Sequence, residues 1–299
     1  MFDPNQHPAQ CANYMSHFLG APVSFIRADA LTQSTRLAPW RVHVCVNGVE
    51  RAYVLQLDPR GMEHEYQVLK ALEAAPFPTP RVYGLDLPGE ALGIACFFSE
   101  FIEGESLLAP VLSGATWAED LYLDAVCALL ATTEDDLGAI AQKLERTTAE
   151  DVLEDAYADL KDQAIPLAET VYRRLRAEMP NLPALRFSNG DLWLDNFIVK
   201  DRQLAAIIDF QNAAFSDPVF EFLLSFFVAP ELQGRGIEAR FCRLIGVDPD
   251  ILYWYHGLEL FETWSWLLKT GKPFVHHTAE SLTMDLTQWL EVNQVHAGR

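Results

Sequence analysis

The chain has 299 residues, with 22 Lys and Arg against 42 Asp and Glu, which gives a formal net charge of −20 and a pI near 4.7. Half the residues are apolar and 21% are charged, enough for a sizeable buried core, and this excludes global disorder. The length favours two domains or two lobes, and the acidity argues against binding nucleic acid or an anionic membrane surface.

Five cysteines (Cys11, Cys45, Cys96, Cys127, Cys242) are scattered without CxxC spacing, so neither a disulfide framework nor a zinc site is expected. Residues 1–7 lack the basic and apolar regions of a signal peptide, and the richest apolar run, residues 219–230, is too short to span a bilayer. The expectation is a soluble, cytoplasmic protein.

In chain order, Asp3 to His7 reads as a frayed terminus. Residues 41–46 alternate polar and apolar, Asn47-Gly48 follows, and residues 52–57 resume the alternation. That pattern predicts a hairpin closed by a type I′ turn. After Pro59-Arg60-Gly61, residues 62–75 show helical spacing that Pro76, Pro78 and Pro80 terminate. Strands are expected at 81–86 and 94–102, so the first third holds strands and one helix. Residues 117–179 have helix composition, with Glu134-Asp135-Asp136 suited to a helix start or a loop. Short β-like runs occupy 188–210. From Pro218 onward the pattern is helical, with Trp254, Leu258, Phe261, Ser265 and Leu268 on one stripe. His276-His277 reads as surface.

The chemistry concentrates at residues 187–210. Asp191, Asn196 and Asp209 lie on loops bounded by short apolar strands. Two carboxylates and a carboxamide suit Mg²⁺, which takes a few protein oxygens and completes its shell from water and phosphate. Phosphoryl transfer needs positioning and charge neutralisation, plus one residue to orient the attacking hydroxyl. Asn-Gly-Asp alone is a common turn; the order strand–Asp–loop–Asn–strand–turn–strand–Asp is far more specific.

This segment resembles the catalytic loop of the aminoglycoside phosphotransferase/choline kinase superfamily. The motifs there are His-Gly-Asp followed after four residues by Asn, then Ile-Asp-(Phe or Trp); here they read Asn189-Gly190-Asp191, Asn196 and Ile208-Asp209-Phe210. Residues 52–56 are similar to the family's third strand, 63–69 to its first helix, 97–104 to its hinge and Ser216-Asp217-Pro218 to its Gly-Asp-Pro. Residues 247–255 resemble the branch of acyl-CoA-dehydrogenase-associated kinases.

The resemblance implies an α+β, bilobal, protein-kinase-like fold. Residues 1–98 would form a small N-lobe with an antiparallel sheet, 99–104 the hinge and 105–299 a larger, mainly helical C-lobe. The C-lobe would carry a catalytic loop at 188–199 and a metal-binding loop at 207–218. The implied activity is transfer of the ATP γ-phosphate to a hydroxyl of an aminoglycoside-like or metabolite acceptor. Asp191 would orient the hydroxyl, Asn196 and Asp209 would hold Mg²⁺, and Asn189 and Asp217 would support the loop. Ser99, Glu100 and Ile102 would meet the adenine. For the acceptor, Asp195, Trp254, Glu259 and Glu262 are candidates, the two glutamates by holding an amine.

Three departures stand out. Gln56 occupies the place of a phosphate-binding Lys or Arg, leaving its helix partner Glu65 without that cation. The nucleotide-covering loop, residues 31–36, lacks glycine, with Ser34 and Arg36 its candidate phosphate contacts and Arg41 a further cation nearby. Asn189 replaces the usual His. These departures keep a second reading open, a kinase-like binding or regulatory module with little transfer.

Overall fold

The computed structural model describes residues 2–31 and 37–292. Ser34 and Arg36, expected at the phosphates, lie outside that set.

The N-terminal lobe comprises α1 (Pro8–Leu19), β1 (Val23–Ala30), β2 (Trp40–Val46), β3 (Val49–Gln56), α2 (Met62–Ala71), β4 (Val82–Asp86) and β5 (Cys96–Glu100). Its strands form one antiparallel sheet in the order β1-β2-β3-β5-β4. Asn47 and Gly48, both at positive φ (50° and 83°), close the β2–β3 hairpin as the dipeptide predicts. Side chains alternate across the sheet. Val42, Val44, Tyr53, Leu55 and Phe98 pack with Cys11, Tyr14 and Met15 of α1, whereas Val82 and Phe97 face α2 and the core of the second lobe.

This lobe holds two α-helices rather than the one expected, and its terminus is not frayed. Asp3 caps a short 3₁₀ turn, Pro4 is buried, and Asn5 exchanges two 2.9 Å hydrogen bonds with the backbone of Ala28. The signal for α1 is weak in sequence because only three of its residues are buried.

Beyond the hinge come β6 (Glu105–Ser106), α3 (Leu108–Leu112), α4 (Thr116–Leu130), α5 (Glu134–Leu137), β7 (Arg146–Thr147), α6 (Ala149–Leu160) and α7 (Pro166–Ala177). Next are β8 (Arg186–Ser188), β9 (Phe197–Lys200), β10 (Gln203–Ile207) and β11 (Ala214–Ser216). Four helices complete the lobe: α8 (Pro218–Val228), α9 (Ile237–Leu244), α10 (Leu252–Thr270) and α11 (Ala279–Val292). Two small sheets, β10-β9-β6 and β7-β11-β8, interrupt the helices. Glu134 to Asp136 open α5 through a capping box between Thr133 and Asp136, and Asp217 caps α8 ahead of Pro218. The long helix α10 runs through the core, burying Tyr255, Leu258 and Phe261 completely. The lobes join closely at Gly104, where any Cβ would stand 2.4 Å from the Val199 carbonyl. The result is the bilobal α+β fold expected, with an antiparallel sheet above a mainly helical lobe. Among the described residues, no helix is long and apolar enough to cross a membrane.

Candidate active site

Two loops build the site: one links β8 to β9, the other β10 to β11. Short strands hold their ends, and the side chains of two asparagines hold their middles. Asn189, fully buried, donates from Nδ2 to the carbonyl of Asp191 (2.9 Å) and lies 3.3 and 3.4 Å from those of Ile208 and Asp209. Asn196 donates from Nδ2 to the same Asp191 carbonyl (2.9 Å), and its own carbonyl accepts from Ile208 N–H (2.9 Å). The loops bearing Asp191 and Asp209 are therefore cross-braced. Leu192 fastens the first loop to the helical core by accepting from Tyr122 of α4 (2.6 Å) and Ser225 of α8 (2.9 Å).

Backbone conformation adds to this. Gly190 sits at φ +78°, where an added Cβ would stand 2.1 Å from the Asn212 carbonyl of the second loop. Asp209 itself takes a positive φ of 60°, a conformation that Asp adopts more readily than most residues and that is common at functional sites.

Two cavities adjoin the braced loops, one lined by Gly190, Asp191 and Asn212 and the other by Ile208 and Asp209. The smaller, about 230 Å³, gathers Gln56 of β3, Glu65 of α2, Ser99, Glu100 and Ile102 of the hinge, and Asp209. Six residues expected around nucleotide and metal thus share one wall. At the hinge, the N–H groups of Glu100 and Phe101 are engaged by Arg81 O (2.9 Å) and Ala52 O (3.3 Å). Arg41, considered for the phosphates, instead stacks its guanidinium 3.9 Å above the Phe101 ring at the hinge.

The larger cavity, about 440 Å³, is lined by Asp191, Asp217, Glu221, Glu259 and Glu262 together with Phe220, Trp266 and Phe274. Of the acceptor candidates, the two glutamates belong here and two residues do not. Trp254 is core: it is 4% exposed and donates its indole N–H to Leu175 O (2.8 Å). Trp266, twelve residues on along α10, is the ring that faces the cavity. Asp195 is exposed, held by Ser106 (2.6 Å) and the Trp193 indole (3.1 Å).

Burial dominates the electrostatics. It raises the Asp191 carboxyl above the ordinary carboxylate range; the Asn196 side chain opposes the shift and the charge of Asp209 adds to it. Burial likewise raises Asp217, against hydrogen bonds from Tyr255 (2.7 Å) and the N–H groups of Val219 and Phe220. Asp217 supports the site indirectly, by fixing α8 to α10. Direct support of the loop between β8 and β9 comes from a residue the motif did not single out. Glu221 of α8 accepts from Ser188 Oγ, which in turn accepts from Gly190 N–H (3.0 Å). Its signal was its place one helical turn beyond the Asp217 cap, on the face turned toward that loop.

The donor set fits Mg²⁺. With Nδ2 of Asn196 committed to Asp191 O, its amide oxygen is the open end, and Asp209 supplies a carboxylate. Among the described residues no three His, Cys, Asp or Glu groups form a complete metal cage. One carboxylate and one amide are what a Mg²⁺ shared with phosphates requires.

A model of the phosphotransferase enzyme family matches residues 41–255. Among solved structures, a protein of Ralstonia eutropha JMP134 assigned as an aminoglycoside phosphotransferase aligns over 96% of both chains at 16% identity, with a TM-score of 0.70. A thermostable mutant of aminoglycoside phosphotransferase APH(4)-Ia, in ternary complex with AMP-PNP and hygromycin B, aligns over 97% of this chain and 99% of that one (17% identity, TM-score 0.65). Macrolide 2′-phosphotransferase MphH from Brachybacterium faecium aligns over 94% and 97% (13% identity, TM-score 0.62). With the family match running from β2 into α10, over loops whose geometry suits phosphoryl transfer, this chain is a member of the phosphotransferase enzyme family.

Proposed function

We propose that the chain moves the γ-phosphate of ATP to an alcohol group of a small molecule, with Asp191 as the residue that orients and deprotonates the hydroxyl. The observation that carries this reading is the cross-bracing: Asn189 and Asn196 hold an acceptor-side carboxylate and a nucleotide-side carboxylate against each other, each lining its own cavity. In the APH(4)-Ia mutant, whose fold is similar, AMP-PNP and hygromycin B are bound together, which supports the same division of labour. We assign residues 1–98 to the nucleotide-binding lobe, 99–104 to the hinge and 105–299 to the lobe carrying both loops. The five free cysteines accord with a cytoplasmic setting, where ATP is available.

In the mechanism, Ser99 and the hinge from Glu100 to Ile102 receive the adenine, and Gln56 donates an amide N–H toward the phosphates. Asn196 and Asp209 would hold Mg²⁺, which when bound neutralises phosphate charge. Asp191, whose carboxyl burial raises above the ordinary range, accepts the hydroxyl proton as the oxygen attacks. Gly190 lets the two loops approach, and Glu221 holds Ser188 so that Asp191 stays aimed.

The test separates the two carboxylates. Asp191→Ala should lower kcat by about 10³-fold or more while MgATP still raises the melting temperature. Asp209→Ala should abolish the MgATP-dependent rise. Wild-type rates in the first variant would refute the assignment of Asp191. The second reading, a binding module with little transfer, draws on Gln56 and predicts MgATP binding without turnover on any hydroxylated acceptor.

A further inference from the structure

A third cavity, about 180 Å³, lies apart from the braced loops, where the end of α2 meets the end of α4 and the start of α5. From the N-lobe come Ala71, the 3₁₀ turn Leu72–Ala74 that continues α2, and the two residues after it. Five of the nine lining residues are alanine, so the space stays open because their side chains stop at Cβ.

Thr132, in the link between α4 and α5, is the group left over. It is 9% exposed, and its Oγ1 has no hydrogen-bond partner among the described residues. Its own N–H is provided for by Leu129 O (3.1 Å). Asp136, in the same wall, commits Oδ2 to the N–H (2.8 Å) and hydroxyl (2.6 Å) of Thr133, and among the described residues no hydrogen bond reaches Oδ1. Those two bonds hold the Asp136 carboxyl below the ordinary range, so it is ionised at neutral pH. The side chains thus offer an apolar wall with one unmet hydroxyl and one carboxylate. Valine has the branched shape of threonine and would avoid the cost of burying an unpaired hydroxyl, so the fold itself has no use for Oγ1.

An apolar cavity of about 150 Å³ holds one benzene ring, so the space here takes a single ring or a short branched chain. A hydroxyl on that frame both accepts from Thr132 and donates to Asp136. An ammonium has no lone pair for the Thr132 proton, and an anion meets the Asp136 charge. The cavity also shares an element with the nucleotide side. Leu72 lines it, and Leu69, one turn back on the same helical run, lines the smaller cavity together with Glu65.

From these observations we propose that this cavity is a regulatory ligand site for an uncharged alcohol of single-ring size, whose hydroxyl bridges Thr132 and Asp136. The occupant braces residues 71–76 against α4 and α5. It thereby seats α2, and with it Glu65 and Leu69, in the wall where nucleotide binds on the phosphotransferase reading above. Occupant and nucleotide favour each other, each by the same factor.

The experiment uses the full chain and fluorine NMR with three probes: 4-fluorophenol, fluorobenzene and 4-fluorobenzylammonium. Without nucleotide, 4-fluorophenol should bind roughly tenfold or more tighter than the other two, the difference expected of one buried hydrogen-bonded hydroxyl. Thr132→Val keeps the shape and should erase that preference, whereas Ala128→Leu fills the space and should abolish binding. A cooperative melting transition verifies each variant, and if one fails to fold the other decides. Saturating MgATP should tighten 4-fluorophenol binding roughly fivefold or more. The site is overturned by no binding, by equal binding of either other probe, or by a preference that survives Thr132→Val. Binding that survives Ala128→Leu overturns it too, because the alcohol then sits elsewhere, the larger cavity included. An affinity that MgATP leaves unchanged overturns the link through α2. Failure of the phosphotransferase reading is seen separately, as no turnover of any acceptor, because the site itself is read without nucleotide.

Discussion

Replacing Gly190 by alanine tests whether the two active-site loops work because they touch. The added Cβ would stand 2.1 Å from the Asn212 carbonyl oxygen and 2.5 Å from its carbon, both backbone atoms that cannot rotate away. To reach 3.0 Å, the closest approach real Cβ atoms tolerate, the loops must part by about 0.9 Å. The left-handed φ of +78° adds about 1–2 kcal/mol for any residue with a Cβ, and forced overpacking adds about 1–3 kcal/mol. The chain will relieve most of this by moving Asp191 away from Asp209. A misplacement near 1 Å costs on the order of 10²-fold in rate, so kcat should fall by about two decades, with weaker MgATP binding and a melting temperature lower by roughly 5–10 °C. Gly93→Ala supplies the control, because its φ of +76° is comparable but nothing lies within 4 Å of its added Cβ. It should lose about 1 kcal/mol and keep full kcat. A Gly190→Ala enzyme within threefold of wild-type kcat, measured by coupled ADP release, would show that close approach of the loops is not what aims Asp191.

Gln56→Lys restores a cation beside buried Glu65 in the nucleotide cavity. One charge contact near 4 Å at an effective dielectric of 20 is worth at most about 4 kcal/mol, so kcat/KM for MgATP should rise between about tenfold and a thousandfold; an unchanged or lower value would mean that another group already neutralises the phosphates. Tyr255→Phe deletes the buried 2.7 Å hydrogen bond to Asp217, at a cost of about 1.5–3 kcal/mol, or roughly 5 °C in melting temperature. Burial raises the Asp217 carboxyl and the Tyr255 hydroxyl favours its ionised form, so the bond contributes most above that raised pKa and fades as pH falls through it. The gap in melting temperature between wild type and variant should therefore be wider at about pH 8 than at about pH 5, and a gap that widens toward acid would contradict this account of Asp217.

The motif proposed to carry the chemistry was legible in the amino-acid order because its signals are local. Asn47-Gly48 closes a hairpin through backbone preferences of two adjacent residues, and residues 62–71 form a helix whose apolar spacing shows within ten positions. Asp191, Asn196 and Asp209 announce themselves by spacing, since strands a few residues long leave few ways to arrange the loops between them. Asn189 shows where that legibility ends. Its identity reads as a departure from a motif, and only the folded chain reveals its amide spanning to Ile208 and Asp209, some twenty residues away.

Helix α10 marks the boundary most clearly. Its 3.6-residue stripe picked out Trp254, Leu258, Phe261 and Ser265, which are buried, but aromatic residues on its other sides leave periodicity unable to say which of those sides meets the cavity. Packing against α6, α8 and α11 decides it, burying Trp254 and leaving Trp266, Glu259 and Glu262 along the cavity. The order of residues determined the Asn189–Asp209 motif and the order of strands and helices, because turn chemistry and hydrophobic period act over a few positions. Tertiary structure alone decided which carboxylates would be desolvated together, because burial depends on neighbours that are distant in the chain.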